Sequence, residues 1–297
     1  MLTYAYKLRA FFLNLHQLAA RLKNFISSQI ETKRDIIMPK LNANLSMLFN
    51  EVDFLDRFEA AAKAGFIGVE YLFPYDFDAK EIKQRLTANG LTQVLFNLPA
   101  GDWDAGERGI ACHPDRVEEF RQGVDLAIEY AQILGCLQCN VLAGVVPQGV
   151  SEEEAQLTFI ENLKYAAPRL EKAGIKCLIE AINTRDIPGF FLNNTKQTME
   201  IIDLVGSSNL FYQYDIYHMQ IMEGDLAPTI KANLAKIAHV QLADNPGRNE
   251  PGTGEINYHY LFKFLDEIDY KGWVGCEYKP KTTTGEGLSW LKLHNVI

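Results

Sequence analysis

The sequence predicts a (β/α)8 barrel, and three observations carry that expectation. Eight short apolar runs alternate with longer segments of helical periodicity from residue 41 onward. Those repeats occupy about 255 residues, close to the roughly 250 typical of such a barrel. The competing architecture, a doubly wound sheet, usually carries a Gly-rich phosphate turn after an early strand, and G-x-G-x-x-G is absent from the chain.

In order, the expected strands are LNANLS (41–46), IGVEYLF (67–73), TQVLFNL (92–98) and LQCNVLAG (137–144). They continue with KCLIEAIN (176–183), LFYQYD (210–215), AHVQLAD (238–244) and GWVGCEYK (272–279). Between them, residues 115–135 space their apolar side chains for a helix. Residues 151–174 open on Ser151 and three glutamates and close on Gly174, which suits an N-cap, a helix dipole and a C-terminal stop. Alternating strands and helices imply parallel pairing with helical crossovers.

Composition narrows the function classes. The formal net charge is -9 with only 29 Lys and Arg, which argues against a sequence-independent grip on nucleic acid. No apolar run reaches the roughly 18 residues that cross a bilayer. Five cysteines, at 112, 136, 139, 177 and 276, are too few and odd in number for a disulfide framework, and they fit a reducing compartment. CLQC at 136–139 has no second ligand pair for zinc, so its cysteines read as small buried side chains.

Residues 1–38 stand apart as an N-terminal helical extension, and the barrel domain is expected over 39–297. Leu8, Phe11, Leu15, Leu18, Leu22 and Phe25 recur at three- and four-residue steps, and no acid precedes Glu31. The segment reads as a surface helix, as extra sequence upstream of Met38, or as a transit segment. The expected location is cytoplasmic, or mitochondrial should that segment act in targeting. A homo-oligomer is left open.

In a barrel, polar residues at the carboxyl ends of the strands converge on one mouth, where the chemistry of this fold sits. Strand five ends in Glu180 and strand six in Asp215, strand seven carries Gln241, and strand eight carries Glu277. Three carboxylates converging there without compensation cost several kcal/mol in desolvation and repulsion. A divalent cation offsets that cost. Four oxygen donors without His or Cys suit Mg2+ or Mn2+ better than zinc.

Four longer motifs then resemble one family. FNLPAGDWDAGERGIAC (96–112), YDIYHMQIMEG (214–224), HVQLADNPGRNEPGTGEINY (239–258) and GWVGCEYKP (272–280) are similar to hydroxypyruvate isomerases. These belong to the xylose isomerase-like barrels, alongside ketose 3-epimerases and 2-oxo-tetronate isomerases. The resemblance runs from about Asn42 to Trp290. It implies that Glu180 and Glu277 are paired acid/base carboxylates that also touch the metal, with Asp215 and Gln241 completing the metal shell. It further implies that His218 and Arg248 meet substrate oxygens, and that Glu70, Asn97 and Trp103 form the opposite wall. One departure stands out: bacterial relatives often carry His immediately before Asn-Leu-Pro-Ala-Gly, where this chain has Phe96, which suggests a less polar pocket.

The implied reaction interconverts hydroxypyruvate and 2-hydroxy-3-oxopropanoate through an enediolate. Such a reaction needs a base at the C–H and positive charge at two oxygens, which two carboxylates and a cation supply. The alternatives on the same barrel are a 2-oxo-tetronate isomerase or a ketose 3-epimerase. More remote is a zinc phosphodiesterase or nuclease, which would need more histidines at the mouth than six scattered ones provide. A silent binding protein would have little physical reason to keep Glu180 and Glu277 together.

Overall fold

The computed structural model describes residues 39–293, so the amphipathic segment expected at residues 1–38 lies outside the described residues. Eight parallel strands close into a barrel in chain order. They are β1 (Lys40–Asn44), β2 (Gly68–Glu70), β3 (Thr92–Asn97), β4 (Gln138–Val141), β5 (Lys176–Glu180), β6 (Leu210–Asp215), β7 (Ile237–Leu242) and β8 (Trp273–Cys276). All eight fall within one residue of the expected runs or inside them. Most are shorter, ending at or next to the inward residue that reaches the mouth.

The helices are α1 (Arg57–Lys63), α2 (Ala79–Ala88), α3 (Val117–Leu134), α4 (Glu152–Lys172) and α5 (Thr195–Val205). They continue as α6 (Ile216–Met222), α7 (Leu226–Asn233), α8 (Tyr258–Glu267), α9 (Thr284–Gly287) and α10 (Ser289–Leu293). On α3, Phe120, Val124, Ala127, Ala131 and Leu134 form the buried stripe. Gly135 ends that helix at φ 75°, with its N–H donating to Ala131 O. Ser151 caps α4 by accepting from the Glu154 N–H, with Glu152, Glu153 and Glu154 against the positive end of the dipole. Among the described residues, no helix is long and apolar enough to cross a membrane. All five cysteines are free and buried.

Register is what brings the polar strand residues together. Asn44 pairs with Glu70, Asn97 with Asn140, Glu180 with Gln213, and Asp215 with Gln241. Barrel interiors are usually filled by branched apolar side chains. Here apolar packing in the lumen, with Leu95 and Leu178 against Phe211 and Trp273, gives way to a hydrogen-bonded polar network around Glu70. Bonds from His239 and Gln241 to Glu70 join β7 to β2 and so cross the lumen. Gly275 on β8 makes room for this: a Cβ there would overlap the Glu70 carboxylate.

Candidate active site

The cavity at the carboxyl ends of the strands has a volume of about 540 Å³. Of the nine site residues expected from the sequence, Glu70, Asn97, Trp103, Glu180, His218, Gln241, Arg248 and Glu277 line it. Asp215 lies just behind the wall and joins the same group of side chains. Ligating atoms of Glu180, Asp215, His218 and Glu277 lie within 4.8 Å of one another.

Asp215 shows how local sequence builds this cluster. It ends β6 and caps α6, its Oδ1 accepting from the N–H groups of Tyr217 (2.7 Å) and His218 (3.3 Å). Capping uses one oxygen. The other, Oδ2, is buried without a hydrogen-bond partner and sits 3.6 Å from His218 Nε2. The Asp-x-x-His spacing thus places a carboxylate oxygen and an imidazole side by side at the start of a helix.

Glu180 Oε2 accepts from Asn140 (3.2 Å) and Gln213 (2.9 Å), leaving Oε1 facing His218 Nε2 at 3.9 Å. Glu277 Oε1 accepts from Asn44 (3.1 Å) and its Oε2 from Arg248 Nη2 (2.7 Å). Burial, with Glu277 and Asp215 close by, pushes Glu180 well above the ordinary carboxylate range. Burial likewise raises Asp215, and it lifts Glu277 to about 8 against the lowering effect of Arg248. Three buried carboxylates disfavour one another's charge, and a cation among them removes that penalty.

Two orientations in the site are fixed from outside it. His218 Nδ1 faces the Asn183 side-chain amide (2.6 Å) and the Asn183 backbone N–H (3.4 Å). The Asn183 amide is itself oriented, because its Oδ1 accepts from the Asp186 N–H at 2.8 Å. Nδ1 is therefore the acceptor and the imidazole proton resides on Nε2, pointing among the carboxylates. Burial, and then Arg248, hold His218 well below the ordinary imidazole range, so it is neutral. In this tautomer Nε2 is a donor and has no lone pair for a metal.

Gln241 is the second case. Its Nε2 donates to Glu70 Oε1 at 2.8 Å, and a carboxylate only accepts, so Oε1 must face the other way. There it accepts from Gln213 at 2.7 Å and keeps a second lone pair. Glu180, Asp215, Gln241 and Glu277 all present oxygen, and the unpartnered Asp215 Oδ2 is the strongest sign that this donor set fits a hard divalent ion.

Arg248 rides on the loop after β7. Asp244 organises that loop by accepting from four backbone N–H groups, those of Asn245, Gly252, Gly254 and Ile256. Arg248 itself has φ 54°, a left-handed conformation that non-glycine residues rarely adopt. Its Nε is buried with no partner. Trp103 packs on Phe73 at 5.0 Å, and Asn97 Oδ1 accepts from Asn140 at 3.1 Å.

Comparison with known proteins places this geometry. The profile of the xylose isomerase-like TIM barrel family matches residues 58–294. The chain belongs to that family. It is 59% identical to the hydroxypyruvate isomerase of Escherichia coli over 254 residues, covering 86% of this chain and 98% of the relative. It is 50% identical to the 2-oxo-tetronate isomerase of Cupriavidus necator over 255 residues, again 86% of this chain and 98% of the relative. A Brucella melitensis crystal structure titled AP endonuclease, family 2, is 48% identical with a TM-score of 0.84, covering 86% and 99% of the two chains. An L-ribulose 3-epimerase structure, 23% identical with a TM-score of 0.67, covers 86% of each chain and shares the fold. With relatives of this identity and coverage, the chain is an isomerase.

Within this family member the structure corrects one expectation. Phe96 was expected to make the pocket less polar. Leu95 and Asn97 line the cavity, so strand alternation turns Phe96 to the opposite face, where it is fully buried and packs edge-on to Tyr75 at 6.2 Å. It therefore affects packing between sheet and helices. Sequence reasoning missed Asn44, Asn140 and Gln213, whose amides hold the two glutamates, and also Asn183 and Arg108. A signal for the first three was present: each is a polar residue that alternates with apolar ones along its strand, at an inward position.

Proposed function

We propose that this isomerase interconverts hydroxypyruvate and 2-hydroxy-3-oxopropanoate, with Glu180 and Glu277 moving the proton. The observation that carries the reading is the pair itself. Two buried glutamates on β5 and just beyond β8 line one cavity, share a cluster with Asp215, and differ in their partners. Glu180 is held by two neutral amides and keeps a free oxygen, whereas both oxygens of Glu277 are bonded, one of them to Arg248. Unequal environments let one act as base while its partner acts as acid.

One glutamate removes a proton from C3 of hydroxypyruvate, giving an enediolate, and the other delivers a proton to C2. The hydroxyl proton passes from O3 to O2, so the product is an isomer and nothing is consumed. His218, neutral with its proton on Nε2, donates to an oxygen as charge develops on it, and the buried Arg248 Nε offers a second donor. Glu180, Asp215, Gln241 and Glu277 would hold a divalent cation, Mg2+ or Mn2+, which when bound supplies positive charge to polarise the substrate carbonyl. Asn97 and Trp103 line the cavity beyond the cluster, and we assign them to substrate positioning. Glu70, whose oxygens are fully engaged, supports Gln241 from beneath.

The Escherichia coli and Cupriavidus necator relatives carry two different substrate names, and the cavity volume leaves room for a four-carbon acid, so 2-oxo-tetronate is the second reading. A nuclease of the kind named for the Brucella protein would rely on several histidines. Among the described residues only His218 stands in the cluster, while His239 is bound to Glu70. The test is proton NMR in D2O with hydroxypyruvate, 2-oxo-tetronate and four- to six-carbon ketoses. Deuterium should enter C3 of hydroxypyruvate as the aldehyde forms, whereas turnover of the ketoses alone would reject both acid readings.

A further inference from the structure

A substrate acid leaves its carboxylate to be held, and the residues that resemblance assigns to the site do not obviously hold it. Arg248 already has a counter-charge in Glu277, paired through Nη2 at 2.7 Å, which leaves its Nε as a single open donor. Lys279 lines the rim but is exposed, two residues beyond Glu277. The remaining cation on the cavity wall is Arg108, in the loop after β3.

Arg108 is held in a particular way. Nη1 donates to two backbone carbonyls, Trp103 O at 2.9 Å and Glu107 O at 2.6 Å. The guanidinium lies over the Trp103 ring at 4.2 Å from its centroid, and Trp103 packs in turn on Phe73. Among the described residues, no carboxylate pairs with Arg108, and neither Nε nor Nη2 has a hydrogen-bond partner. The adjacent Glu107 is taken by Arg116. Asp186, on the same cavity, accepts from Tyr217 Oη at 2.8 Å and from Asn183 at 3.2 Å. Three features thus coincide: a charge with no counter-charge, a ring that fixes its plane, and an open Nε–Nη2 edge. That edge is the fork that matches a carboxylate with two parallel hydrogen bonds.

We propose that Arg108 is the specificity-determining residue that takes the substrate's carboxylate, so that the site selects short hydroxy-keto acids over neutral ketoses. This rests on the isomerase reading above. The carboxylate at C1 engages Arg108, which leaves C2 and C3 to the glutamates. A neutral sugar offers the half-buried guanidinium no carboxylate, so it forgoes the charge-assisted pair of hydrogen bonds that the acid gains.

The experiment measures kcat and KM for hydroxypyruvate with the wild-type chain, Arg108→Gln and Arg108→Lys, at two ionic strengths. Arg108→Gln should raise KM about 10- to 100-fold, the loss of a charge-assisted fork, while kcat falls less than about threefold. Arg108→Lys keeps the charge without the fork and should fall between the two. Salt should weaken kcat/KM in the wild type more than in Arg108→Gln. An unchanged KM in both variants, or a fall in kcat at constant KM, overturns the assignment. Should Arg108→Gln not fold, Arg108→Lys decides alone, and a wild-type KM there overturns the fork. A wild-type chain that turns over ketoses but neither acid rejects the isomerase reading and this proposal together. An active wild type with unaffected variants rejects only the role of Arg108.

Discussion

Replacing Glu70 by Gln changes one atom, and the structure gives the size of the effect. Glu70 is fully buried, and its two oxygens accept from four donors. Oε1 takes Asn44 (3.1 Å) and Gln241 (2.8 Å), and Oε2 takes Asn42 (2.7 Å) and His239 (2.7 Å). Glutamine turns one oxygen into an NH2, so whichever way the amide sits, two donors meet a donor. Each buried donor left without an acceptor costs roughly 1–3 kcal/mol, and the two surviving bonds lose their charge assistance. The sum is about 4 kcal/mol, in line with the 3–5 kcal/mol typical of breaking a buried pair. For a domain of this size that lowers Tm by about 8–16 °C, read by circular dichroism. Gly275→Ala perturbs the same carboxylate by volume, since its Cβ would overlap Glu70, and should also lower Tm. A drop below about 2 °C for Glu70→Gln would refute the view that this carboxylate anchors the lumen.

The remaining predictions concern the site and its surroundings. Glu180→Gln and Glu277→Gln should each abolish turnover with an unchanged circular dichroism spectrum; substantial activity in either rejects the two-base scheme. Chelator treatment should remove activity and lower Tm, and Mg2+ or Mn2+ should restore both, because the cluster loses its counter-charge; full activity after rigorous removal leaves the carboxylates without an ion. Asn183→Asp turns the partner of His218 Nδ1 into an acceptor, so the imidazole proton moves from Nε2 to Nδ1; kcat should fall about 10- to 100-fold, and a kcat near wild type rejects the tautomer argument. Burial, and then the nearby Arg116, hold His113 below its ordinary 6.5 despite Glu107 and Glu119, with Nε2 bonded to Val145 O at 2.9 Å. A lowered folded-state value means that its stabilisation is present above pH 6.5 and is lost as pH falls below it. The fall in Tm from pH 7 to 5 should therefore be shallower in His113→Gln, and an equal slope would remove His113 from the account.

How far the sequence foretold this site depends on what decides each residue's place. Glu180, Asp215, Gln241 and Glu277 were legible because strand endings are marked by local apolar runs, and the barrel rule sends strand endings to one mouth. Phe96 was misread because a letter that differs between relatives carries no strand parity. Asn97 inward already requires Phe96 outward. Glu70 is subtler. It ends β2 and lines the cavity as expected, yet two of its four donors come from β7 across the lumen and two from neighbouring β1, a set that closure of the barrel brings together. Asn183 and Arg108 sit in loops whose course depends on the packing around them, so no period in the sequence exposes them.

Glu70 also shows why a polar lumen is a sensible way to build this site. An amide side chain can present either its oxygen or its nitrogen, and nothing in the letter Gln decides which. A metal or substrate facing Gln241 needs the oxygen. An ionised carboxylate beneath it accepts and never donates, so it draws the NH2 downward and leaves Oε1 above. Gln213 repeats the logic one strand over: its NH2 bridges Glu180 Oε2 and Gln241 Oε1, which ties Glu180 to the same network. Burying Glu70 therefore costs desolvation that four donors offset, and in return the groups above it hold one orientation. On this argument Glu70→Gln should do more than lower Tm. At temperatures where the variant is folded, Gln241 is free to flip, and the affinity for Mn2+ measured by titration calorimetry should fall about tenfold or more. Wild-type Mn2+ affinity in a destabilised but folded variant would show that the lumen network supports the fold alone.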